Sequence, residues 1–121
     1  MMTTKREYAF EKLRVWQAAR GLAEAVYLAT TTFPRTEIYG LTSQCNRAAV
    51  SIAANLAEGS SRRSKKDQAH FSEIAYSSLT ELACLLILCR DVDFIARCRR
   101  KPAQLNRTLV GAAERIAPKP A

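Results

Sequence analysis

Apolar residues recur along this chain at intervals of three and four, the spacing of helices with one buried face. In residues 10–32 the repeating positions are Val15, Ala19, Leu22, Val26, Ala29 and, just beyond, Phe33, with Trp16, Ala23 and Tyr27 widening the face. Pro34 ends this helix, because a residue before proline is pushed out of helical geometry. Gly21 lies inside it and is expected where another helix approaches closely. A second helix over residues 39–58 presents Leu41, Cys45, Ala48, Ala49, Ile52 and Leu56. Gly59 is expected to close it in a left-handed C′ conformation. A third, over residues 65–90, opens with Ser64 as N-cap and Asp67 three residues on. Its face is Phe71, Ile74, Ala75, Ser78, Leu79, Leu82, Leu85, Leu86 and Cys89. Phe94 and Ile95 are expected to fold back over the core. Pro102 can open a fourth helix over residues 102–116, with Leu105, Leu109, Ala112, Ala113 and Ile116 inward; residues 117–121 form a tail. Four such segments on short connections predict a single all-α domain over residues 1–121, an antiparallel up-down-up-down four-helix bundle.

Composition supports one folded body. The chain has 121 residues, 48% hydrophobic and 25% charged, with only four glycines and four prolines, too few turn formers for a many-stranded sheet. The start Met-Met-Thr-Thr-Lys-Arg-Glu lacks the apolar core of a signal peptide. The longest apolar run, Leu82 to Cys89, is far short of the ~20 residues that cross a membrane. A reduced, cytoplasmic location is expected. Cys45, Cys84, Cys89 and Cys98 form no C-x-x-C, and His70 is the only histidine, so zinc spacing is absent. Cys45 and Cys89 fall on apolar faces and Cys84 lies near one; all three are expected to act as small buried hydrophobes.

Charge narrows the partners. The net charge is +8, and thirteen of the nineteen basic residues are arginine, suited to bidentate phosphate contacts. Arg62, Arg63, Lys65 and Lys66 cluster beside the start of the third helix, where open backbone N–H groups also favour anions. Arg97, Arg99, Arg100 and Lys101 form a second cluster. Both are candidate nucleic-acid contacts; a solvated basic surface is the plainer reading. Base-stacking readout is weakly supported, since Trp16, Tyr27 and Phe71 are expected in the core, leaving Tyr8, Tyr39 and Tyr76. Gln44, Arg47, Ser51, Asn55 and Glu58 run as a polar stripe along one edge of the second helix. The stripe reads as a hydrogen-bonded seam between helices or subunits, ahead of a pore or ligand-groove lining. Catalysis finds little footing: His70 has no nucleophile beside it, Asp91 and Asp93 are isolated, and there is no Gly-rich phosphate loop. No enzyme activity, cofactor or metal is expected.

Several stretches resemble a known family, the four-helix-bundle proteins encoded in intervening sequences of bacterial large-subunit ribosomal RNA genes. They are Leu13-Arg-Val-Trp-Gln-Ala-Ala19, Phe33-Pro34, Tyr39-Gly-Leu-Thr-Ser-Gln44, Arg47-Ala-Ala-Val-Ser-Ile with Asn55-Leu-Ala-Glu-Gly59, and Arg62-Arg-Ser-Lys-Lys66. Phe71, Ile74-Ala75, Ser78-Leu79 and Glu81-Leu82 continue the match, which covers about residues 10–95. The family usually ends in a Glu-rich helix, where this chain has Arg97, Arg99, Arg100, Lys101 and Pro102. The resemblance implies a four-helix bundle in a cyclic homo-oligomer, a pentamer, with no assigned activity. The architecture is also similar to the accessory proteins of diversity-generating retroelements, basic bundles that bind a reverse transcriptase and nucleic acid. In a ring, the basic turns would form an annulus. The expected function is therefore non-enzymatic binding of RNA or other nucleic acid by phosphate contacts. The alternative is an adaptor or scaffold for an acidic protein, and a small-molecule-binding bundle is a weaker third.

Overall fold

The helical periodicity is realised as three α-helices. A computed structural model describes residues 7–95. In it α1 spans Arg14–Thr30, α2 spans Leu41–Ser60 and α3 spans Lys65–Asp91. Single 3-10 turns at Ala9–Lys12 and Arg35–Glu37 precede α1 and α2, and no strand occurs among the described residues. The expected fourth helix over 102–116, the tail and the cluster Arg97, Arg99, Arg100 and Lys101 lie outside the described residues.

Local chemistry moves the expected boundaries. The first helix is broken at Leu13, whose backbone is extended (φ −75°, ψ 126°). The break lets Phe10 meet Trp16 edge-on at 4.9 Å. Gln17 Nε2 braces it by donating to the Glu11 carbonyl at 2.9 Å. At the far end the hydroxyls of Thr30, Thr31 and Thr32 donate to the carbonyls of Tyr27, Leu28 and Ala29 at 3.1, 2.6 and 2.8 Å. Such hydroxyls satisfy carbonyls that a continuing helix would otherwise use. α2 starts at Leu41 because Glu37 caps it: the Leu41 N–H donates to Glu37 Oε2 at 3.0 Å, serving a donor with no partner inside the helix.

Neither glycine expected to matter has its expected role. Gly59 is not left-handed, since no described glycine has positive φ, and α2 runs through it to Ser60. A Cβ at Gly59 would lie 2.8 Å from Phe71 Cβ, so glycine is needed there because α3 comes so close. Gly21, expected at a close helix contact, has nothing within 4 Å of a built Cβ. The left-handed residue belongs instead to the end of α3. Asp93 has φ 65°, Phe94 N–H donates to the Cys89 carbonyl at 2.8 Å, and Asp93 N–H donates to that of Arg90 at 3.0 Å. These are the paired bonds of a Schellman ending. The reversal brings Phe94 back over the bundle, its ring 5.4 Å from Phe33, and Ile95 also packs on the core, as expected.

α2 lies against both α1 and α3, whose backbones do not approach each other. The α2–α3 pair is antiparallel, as its contacts show in order: Cys45 with Cys89, Ser51 with Ser78, Gly59 with Phe71. Leu22, Val26, Cys45, Ile52, Leu82 and Cys89 are wholly buried at the centre. Burying each of Leu22, Val26, Ile52 and Leu82 stabilises the fold by roughly 1.5–3 kcal/mol. Cys84 departs from expectation: it is exposed, on the opposite side of α3 from Cys89. By length and composition α3 is apolar enough to cross a membrane, which uninterrupted runs did not reveal. Here its apolar face is one wall of the core.

Candidate nucleic-acid interface

The α2–α3 turn is built by capping. Ser64 is extended (φ −86°, ψ 144°) and its Oγ accepts from the Asp67 N–H at 3.1 Å, which starts α3. Two residues before it, Arg62 is held on three sides. Its Nη2 donates to Glu58 Oε1 at 2.8 Å, its guanidinium lies 4.9 Å over the Phe71 ring, and its carbonyl accepts from Gln68 Nε2 at 2.8 Å. Arg62 therefore stiffens the turn, and its charge is partly answered by Glu58. Arg63, Lys65 and Lys66 are exposed and make no ion pair among the described residues. Three free cations thus stand at the N-terminus of a 27-residue helix, where the dipole adds positive potential. Asp67 in the first turn tempers that potential and leaves the cluster net positive.

The polar stripe divides into three parts. Ser51 is half-buried and its hydroxyl lies 2.9 Å from that of Ser78 in α3. Asn55 Nδ2 donates to the Ser51 carbonyl at 2.8 Å and to Ser51 Oγ at 3.1 Å. Those residues form a hydrogen-bonded seam between helices, and no buried side-chain polar atom among the described residues lacks a partner. Glu58 serves the turn through Arg62. Gln44 and Arg47 are exposed and join neither. Ser78 and Gln68 were missed as partners. Ser78 sits in an apolar stripe, and only the packed α2–α3 pair reveals what it faces.

A second surface lies between α1 and α2. Phe10, Trp16 and Tyr27 line a groove of about 490 Å³ with Val50, Ala53, Ala54 and Ala57. Tyr27 is 49% exposed, contrary to its expected place in the core. Its polar neighbours are Arg20, 5.6 Å over the Trp16 ring, and Glu24, 3.8 Å from Arg20, which balance in charge. His70 is exposed on α3 beside Phe71 (5.7 Å). No group of three potential metal ligands occurs among the described residues.

The model of the family described as 23S rRNA-intervening sequence protein matches residues 11–110. The chain belongs to that family. The family match takes in all three helices, the polar stripe, the basic turn and the second basic cluster. No curated protein matches the chain.

Proposed function

We propose that this family member is a non-enzymatic, cytoplasmic protein that binds RNA, or nucleic acid more generally, through phosphate contacts. The observation that carries the reading is the division of labour in the α2–α3 turn. Arg62 is committed to Glu58 and Phe71, while Arg63, Lys65 and Lys66 face solvent at the start of α3. Contacts of this kind recognise backbone charge and carry little base specificity. Arg97, Arg99, Arg100 and Lys101 would extend the basic surface.

The finer architecture belongs to the same proposal. Among the described residues α1 and α3 both pack on α2, an arrangement that a fourth helix would complete to a four-helix bundle. The reversal at Asp93 turns Phe94 and Ile95 back onto the core, and the apolar spacing of residues 102–116 would suit that place. Assembly into a cyclic homo-oligomer, a pentamer, would cover exposed apolar surface such as the α1–α2 groove. That charge-balanced groove also favours one second reading, an adaptor that docks a protein partner.

The test is RNA binding by fluorescence anisotropy over a salt series, on protein of measured oligomeric mass. Log affinity is expected to fall linearly with log salt, with a slope of about −2 or steeper for three phosphate contacts. Reversing Arg63, Lys65 and Lys66 to Glu should abolish binding while Arg62 keeps the turn intact. Absence of binding at low salt, or affinity indifferent to salt, would refute the proposal and favour the adaptor.

A further inference from the structure

Cys45 lies near the start of α2 and Cys89 near the end of α3, and neither takes part in the proposed nucleic-acid contacts. Both are wholly buried, and their sulfurs are 3.8 Å apart. The seam around them is tight from end to end, with Ser51 against Ser78 and Gly59 under Phe71. A disulfide requires about 2.05 Å between sulfurs. Closing the gap moves each sulfur by less than ~1 Å, within reach of small side-chain rotations. Cys84 is turned to solvent on the other side of α3 and does not compete for Cys45.

We propose that Cys45 and Cys89 are a redox latch: hydrogen peroxide converts them to an intramolecular disulfide that locks α2 to α3 at the end of their antiparallel pair away from the basic turn. Burial holds both groups as thiols, so the step begins when local opening at the helix ends lets one of them give up its proton. That sulfur attacks the peroxide oxygen and is oxidised to a sulfenic acid, and the departing hydroxide takes up the released proton to leave as water. The second thiol then displaces hydroxide from the sulfenic sulfur. The S–S bond forms, the S–O bond breaks, and a second water leaves with the remaining proton. The two thiols thereby lose two electrons and two protons to the peroxide. The small oxidant suits a pair that is wholly buried. In a reducing compartment the thiols stay reduced, so the latch closes only under oxidative load. The ring it closes spans 44 residues and includes the whole basic turn.

The experiment uses the full chain carrying Cys84→Ser and Cys98→Ser, treated with hydrogen peroxide while folded. The intact mass is expected to fall by about 2 Da, with Cys45 and Cys89 peptides linked until reduced. The midpoint of thermal unfolding should rise by roughly 10 °C or more, and dithiothreitol should reverse it. Cys45→Ala in the same background should abolish both changes and keep native helicity. Thiols left intact at peroxide doses that oxidise Cys84 in the natural chain would overturn the latch. So would mass gains of 16 or 32 Da without a link, or a link that appears only in urea.

Discussion

Replacing Gly59 and Gly21 by alanine, one at a time, should move stability in opposite directions. Both glycines lie inside helices and neither has positive φ, so the backbone accepts alanine at each. Alanine is favoured over helical glycine by roughly 0.5–1 kcal/mol, mainly through lost freedom in the unfolded chain. At Gly21 nothing lies within 4 Å of the new Cβ, and Gly21→Ala should gain about that amount. At Gly59 the new Cβ would sit 2.8 Å from Phe71 Cβ and 3.5 Å from the Gln68 carbonyl oxygen. Phe71 Cβ is fixed to the α3 backbone, so relief requires the helices to separate by about 1 Å. That movement strains the Ser51–Ser78 bond and the Arg62–Phe71 contact. Overpacking of this kind costs typically 1–3 kcal/mol, which outweighs the propensity gain and leaves Gly59→Ala about 1 kcal/mol less stable. The two variants should then differ by about 2 kcal/mol, or roughly 8 °C in unfolding midpoint. The assay is thermal and urea unfolding followed by circular dichroism, at one protein concentration and with oligomeric mass checked. A Gly59→Ala protein as stable as Gly21→Ala would show that α3 does not press on α2 there.

Two further outcomes follow from the same seam. Ser51→Ala should cost about 1–2 kcal/mol, because buried Ser78 and half-buried Asn55 lose a partner, and Ser51→Ala with Ser78→Ala should cost less than the two single changes summed. Additive losses in urea unfolding would count against a coupled seam. Stability should also decline at alkaline pH: burial first, then neighbouring Cys89, pushes the Cys45 thiol from 9.0 up to about 12, and burial raises Cys89 as well. The folded state holds protons that the unfolded state releases, so this contribution is whole below pH 9 and is lost as pH rises towards 12. Urea midpoints at pH 8 and pH 10.5 should differ less in Cys45→Ala with Cys89→Ala than in the natural chain; an equal difference would refute the assignment.

The sequence by itself determined the three described helices, their buried faces and the cap at Ser64, because these depend on spacing and on bonds within four residues. Val26, Ile52 and Leu82 are where periodicity placed them, and Phe94 folds back over the core as expected. The basic turn was legible for the same reason: its four cations fall within five residues of sequence. Tertiary structure alone decided what each polar or small residue faces. Gly59 was expected to end a helix and Gly21 to sit at a close helix contact, yet α3 packs against Gly59 and nothing packs against Gly21. Arg62 looked equivalent to Arg63, yet Glu58 and Phe71, from two different helices, take it out of the free charge. Ser78 looked like a flaw in an apolar face until Ser51 lay opposite it. Cys45 and Cys89, 44 residues apart, became neighbours only when α2 and α3 met. Periodicity says which side of a helix is inward; the partner on that side is set by how separate helices close on one another.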